Sequence, residues 1–116
     1  MPTTTAADWR LEQISKWPEK TFQQQVINLA RQLGWWVYHT YRSDRSTPGF
    51  PDLYMAHPEH GILLRELKTE KGRISPAQRD AMAVIEKAGG DVAVWRPRHW
   101  ASREIHEALN PGGRNW

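Results

Sequence analysis

Apolar positions along the chain change period several times, and each change marks an element. Phe22, Val26, Leu29, Ala30 and Leu33 recur at three- and four-residue spacing, which predicts a helix from about Glu19 to Leu33. Pro18 suits its first turn and Gly34 its end. The aromatic and β-branched run Trp35 to Tyr41 then reads as a strand, followed by a polar loop from Arg42 to Thr47. Pro48-Gly49-Phe50-Pro51 forces a turn into a short strand, Asp52 to Ala56, and His57-Pro58-Glu59-His60-Gly61 turns the chain again into Ile62 to Lys68. Thr69 to Arg73 is a charged loop. Ser75-Pro76-Ala77-Gln78 opens a second helix with an inner face of Ala81, Val84, Ile85 and Ala88, stopped by Gly89-Gly90. Asp91 to Arg96 is a final strand and Trp100 to Leu109 a final helix. A helix between the third and fourth strands requires a crossover, so the expected class is α/β, with a mixed sheet flanked by helices and covered on both faces.

Composition narrows the class. A chain of 116 residues suits one domain over residues 1–116, with an ordered core over about residues 8–109 and a flexible tail over 110–116. The absence of cysteine removes disulfide frameworks, thiol catalysis and cysteine-based metal sites. No apolar run is long enough to span a membrane and the first residues form no leader, so no membrane partner and a cytoplasmic location are expected. Sixteen Lys and Arg stand against thirteen Asp and Glu, a net charge of +3 that points weakly to an anionic partner. Seven tryptophans are several times ordinary usage. Their positions at strand starts and the last helix suggest scaffold or subunit contacts, leaving Trp9, Trp17 and Trp116 best placed to reach a partner.

Chemistry concentrates at the end of the third strand. Period-two alternation puts Ile62, Leu64, Glu66 and Lys68 on one face, so an ionisable pair continues an apolar row at the rim of a core. With a turn near Pro58 and Glu59, Asp52 and Glu66 are equidistant from it and become approximate cross-strand neighbours. Adjacent carboxylates repel, and a shared proton or a divalent cation relieves this. Two carboxylates, the Leu67 carbonyl between Glu66 and Lys68, and a lysine ammonium suit metal-assisted phosphodiester hydrolysis. Each residue also has a plainer reading: Asp52 as a turn cap, Glu66 with Lys68 as a surface pair, and Gln78 as the partner of Ser75 in a capping box.

Gly49-Phe50-Pro51-Asp52, Glu66-Leu67-Lys68 and Ser75-Pro76-Ala77-Gln78 follow one another in the order and spacing of a known group. In these residues the chain resembles the VRR-Nuc branch of the PD-(D/E)XK nuclease superfamily, from about Glu19 to Trp100. The resemblance implies a restriction-endonuclease-like αβββαβ core and a phosphodiesterase acting on DNA with Mg²⁺ or, in its place, Mn²⁺. It also implies a structure-specific role at junctions or flaps. Asp52 and Glu66 would be metal ligands, Lys68 the catalytic lysine and Gln78 the conserved glutamine. Glu19, the sole carboxylate of the first helix, would be the further acidic ligand, although a first-turn acid also gains from the helix dipole. Stand-alone members occur in phage and bacterial genomes and tend to self-associate, which implies a homodimer in a bacterial or phage-infected cell.

Arg42 and Arg45 before the Gly-Phe-Pro-Asp turn, and Lys71 and Arg73 after the Glu66 strand, border the same region and are candidate DNA contacts or simply solvated charges. His57-x-x-His60, His99 and His106 lack a third ligand at zinc spacing, and no Gly-x-x-x-x-Gly-Lys is present, so neither zinc nor a nucleotide cofactor is expected. The expected function is a Mg²⁺-dependent DNA endonuclease. A catalytically idle DNA-binding or adaptor domain and an RNA-directed nuclease are the alternatives.

Overall fold

The computed structural model describes residues 5–40 and 47–113. Its elements run α1 (Ala6–Ser15), α2 (Glu19–Gln32), β1 (Trp36–His39), β2 (Leu53–His57), β3 (Gly61–Leu67), α3 (Pro76–Lys87), β4 (Val92–Trp95), α4 (Pro97–Ala101) and α5 (Glu104–Leu109). The sheet has the order β1-β2-β3-β4, with β1, β2 and β3 antiparallel and β4 parallel to β3. The mixed α/β architecture expected from the element order is therefore present, with α3 as the crossover. No helix among the described residues is long and apolar enough to cross a membrane.

Strand pairing sorts the side chains onto two faces. Leu53, Met55, Leu63 and Leu67 point to one face and meet Phe22 and Val26 of α2 and Ile105 and Leu109 of α5 in the core. Trp35 and Trp95 join this cluster, and the Trp35 indole donates to the Leu109 carbonyl at 2.8 Å, closing the chain end onto the β1 end of the sheet. Arg65 faces the same side, where its guanidinium lies 4.8 Å from the Trp95 ring and is held by the Asp91 carboxylate and the Leu64 and Asp91 carbonyls.

The opposite face departs from expectation. Helix α3 packs on β4 only through a half-buried side including Ala81 and Ile85. Val84 is 68% exposed and Ala88 is exposed, so the predicted inner stripe is narrower than four residues. The sheet is thus flanked by helices, but among the described residues no helix covers the second face over β1 and β2, which carries exposed Trp36 and Tyr38.

Two elements also differ from expectation. Helix α1 has no counterpart among the expected elements; Thr5 and Asp8 cap it reciprocally through a capping box, and its one buried residue, Ile14, leaves almost no periodic signal. The final helix is two, because Arg103 adopts a left-handed conformation (φ 68°) between α4 and α5, and Trp100 belongs to α4. After α5, residues 110–113 form a turn in which the Gly113 amide donates to the Asn110 carbonyl at 2.9 Å.

Candidate active site

The hairpin of β2 and β3 builds the site. Leu53 stands opposite Arg65, so one step further along the ladder Asp52 stands opposite Glu66, the neighbourhood expected from the spacing. Asp52 stays in the sheet although it precedes β2, since its carbonyl accepts from the Thr40 amide at 2.7 Å. Its Oδ2 accepts from the Leu67 amide at 2.8 Å, which turns the carboxylate toward the end of β3.

The turn before Asp52 is held by α3. Gly49 has φ +90°, and a Cβ there would overlap the Ala77 carbonyl, so the Gly-Phe-Pro-Asp turn lies directly on the first turn of α3. That turn is itself capped: the Gln78 amide donates to Ser75 Oγ at 3.1 Å while Gln78 Oε1 accepts from the Ser75 amide at 2.9 Å. Gln78 therefore fills the capping role, with its carbonyl oxygen committed and its side-chain NH₂ not needed for the cap.

Glu66 is 1% exposed, and its Oε2 has no hydrogen-bond partner. Burial pushes its carboxyl up to about 9, and the hydrogen bond and charge of Asp52 act in the same direction. Lys68 opposes the shift and Glu19 adds to it. The pair thus holds a proton in the absence of a cation, as expected of two carboxyls at one position with little water. Lys68 follows β3 on the same side as Glu66, fixed by its amide donating to the Trp95 carbonyl at 3.1 Å.

An orphaned buried carboxylate oxygen beside a second carboxylate is a donor set that fits a hard divalent cation. Mg²⁺ is commonly held by one or two carboxylates and keeps several waters. Glu19 opens α2 at the surface and is close enough for its charge to be felt at Glu66. It does not complete a larger cluster: among the described residues no group of three or more His, Cys, Asp and Glu is spaced to hold an ion. The residues that could hold a cation are Asp52 and Glu66, with the Leu67 carbonyl at the same strand end.

Lys71 and Arg73 are exposed on the loop after Lys68, on the site's border. Arg42 and Arg45 lie outside the described residues. A residue not singled out from the sequence organises that loop: Arg96 Nη1 donates to the carbonyls of Thr69 at 2.7 Å, Glu70 at 3.3 Å and Gly72 at 2.8 Å. Glu70 accepts in turn from the Arg98 amide and pairs with its guanidinium. No local pattern announces Arg96, because all its acceptors lie in a distant loop.

Three antiparallel strands, a crossover helix and a fourth parallel strand, with carboxylates and a lysine at the strand ends, define the restriction-endonuclease-like class. The family comparison agrees: the VRR-NUC domain matches residues 5–99, and the chain belongs to that family. It is a nuclease-related, DNA-binding family. Comparison with the curated proteins and with the solved structures gives no match.

Proposed function

We propose that the protein is a Mg²⁺-dependent endonuclease that hydrolyses phosphodiester bonds in branched DNA, with Mn²⁺ as a substitute ion. The observation that carries this reading is the buried, unpartnered Glu66 oxygen beside Asp52, one residue pair from Lys68.

A divalent cation held by Asp52, Glu66 and the Leu67 carbonyl would polarise the scissile phosphate and acidify an attacking water. The chain supplies the rest. The Leu67 amide fixes Asp52 through Oδ2. Lys68 brings an ammonium that orients the incoming water or steadies charge developing on the phosphate. Exposed Lys71 and Arg73, with Arg42 and Arg45 earlier in the sequence, hold the flanking phosphates without reading sequence.

One site per chain cuts one strand, so symmetric cleavage of a junction requires two copies, and the working form is a homodimer. Trp9, exposed on α1, is an available contact. Sedimentation of the purified protein at micromolar concentration is expected to give twice the chain mass; a monomer under cleavage conditions overturns this part.

The catalytic reading is tested by Glu66→Ala and Lys68→Ala. Each is expected to abolish nicking of DNA with Mg²⁺ while circular dichroism keeps the wild-type fold. Retained metal-dependent cleavage in either variant overturns the mechanism. Salt-sensitive DNA binding by wild type without cleavage marks an idle binding domain, and faster cleavage of the RNA version of the same strand marks an RNA-directed enzyme.

A further inference from the structure

The residue pairs of the open sheet face form ordered rows. Thr40, Asp52 and Glu66 share the row at the site; the next row, two residues away along each strand, is Tyr38, Tyr54 and Leu64; beyond it come Trp36, Ala56 and Ile62. At ~3.3 Å per residue, adjacent rows are only ~7 Å apart. Trp36 is 61% exposed and Tyr38 53%, and their rings stack at 6.4 Å and 15°, with Tyr54 edge-on to Trp36. Phe50 of the turn before Asp52 is 41% exposed and, with Tyr38, Thr40 and Thr47, lines a cleft of about 260 Å³. That is below the ~300–1,000 Å³ of clefts for drug-sized ligands.

We infer that Trp36, Tyr38 and Phe50 form a stacking platform for unpaired nucleobases next to the scissile phosphate. The inference rests on the nuclease reading of Asp52 and Glu66 and names what that site's substrate presents: bases out of the duplex within a nucleotide or two of the cut. Aromatic faces bind any base by stacking, which needs no base-edge code but does need an accessible base face, and a paired duplex hides those faces. Continuity with the carboxylate row favours nucleic acid over a second copy of the chain, since a copy seated on Tyr38 and Phe50 would cover the approach to Asp52. The Trp36 side chain is therefore a binding residue, whereas Trp35, its neighbour on the other face, is core.

The test is equilibrium binding in EDTA, where cleavage does not interfere, of an oligodeoxythymidine strand and of a fully paired duplex of equal length. Trp36→Ala and Tyr38→Ala are expected to weaken single-strand binding roughly 5- to 100-fold each, with the duplex changed less than twofold. Tyr38→Phe should restore the single-strand affinity, and a strand carrying abasic sites should bind wild type as poorly as the variants bind the intact strand. Equal losses on both DNAs, unchanged affinity for both in folded variants, or conversion of a wild-type dimer to monomer by Trp36→Ala each overturns the platform, the last by assigning the face to a second copy. Mg²⁺-dependent cleavage by wild type, lost in Lys68→Ala, is measured in parallel. If that holds while single-strand binding ignores the rings, the platform alone fails; if Lys68→Ala still cleaves, the nuclease mechanism fails independently of the platform.

Discussion

Glu66 is where burial and charge conflict most sharply. Its carboxyl titrates near 9 rather than the ordinary 4.5, from burial first and Asp52 second. The metal-free folded state therefore holds a proton on the Asp52–Glu66 pair across neutral pH, while the unfolded chain does not. A raised folded pKa gives stability that is complete below about pH 4.5 and is lost as pH climbs toward 9. Glu66→Gln, which stays neutral, is expected to melt several degrees above wild type at pH 8.5 in EDTA and close to it at pH 5. Domains of about this size shift ~4 °C per kcal/mol. Mg²⁺ should raise the wild-type melting temperature at pH 8.5 and leave Glu66→Gln unmoved. Thermal melts at the two pH values check this, and an equal gap at both would show that the Glu66 proton is not linked to folding.

Among the elements, the β2–β3 hairpin and α3 are coupled by Gly49. Alanine there must take a positive φ and push its Cβ into the Ala77 carbonyl, so either the turn or the first turn of α3 moves. Gly49→Ala is expected to cost about 1–3 kcal/mol in urea unfolding and to reduce cleavage further, because Asp52 shifts away from Glu66. Wild-type stability would contradict the close packing of the turn on α3. Arg96 holds the loop after Lys68 by its three carbonyl bonds, and Arg96→Ala is expected to lower stability by about 2 kcal/mol, again by urea unfolding.

These elements also mark what a sequence reader can see. The hairpin was legible because turn residues and period-two alternation are local, and equal distance from the turn was enough to pair Asp52 with Glu66. Gln78 was ambiguous between cap and site because Ser-x-x-Gln serves both, and its bonds to Ser75 show the cap. Helix α1 gives little periodic signal because it buries Ile14 alone, and the inner face expected of α3 is too wide because Val84 and Ala88 are exposed. Arg96 had no signal at all, since loop carbonyls carry no side-chain code.

At the scale of the whole molecule, the seven tryptophans separate by environment. Trp35 and Trp95 are core, Trp17 and Trp100 pack edge-on beside it at 5.7 Å, and Trp36 and Trp9 face outward. Of the two roles its place at a strand start suggested, scaffold or subunit contact, the exposure of Trp36 removes only the first, while Trp116 lies outside the described residues. One covered face gives the sheet its stability, and the other leads from exposed rings to buried carboxylates. The most direct test of this account is cleavage of four-way-junction, flap, single-stranded and duplex DNA by the purified protein with Mg²⁺, Mn²⁺ or EDTA, beside Lys68→Ala. The expected result is cutting of the branched DNAs with either ion, none in EDTA and none by Lys68→Ala; undiminished cutting in EDTA, or by Lys68→Ala with Mg²⁺, would contradict it.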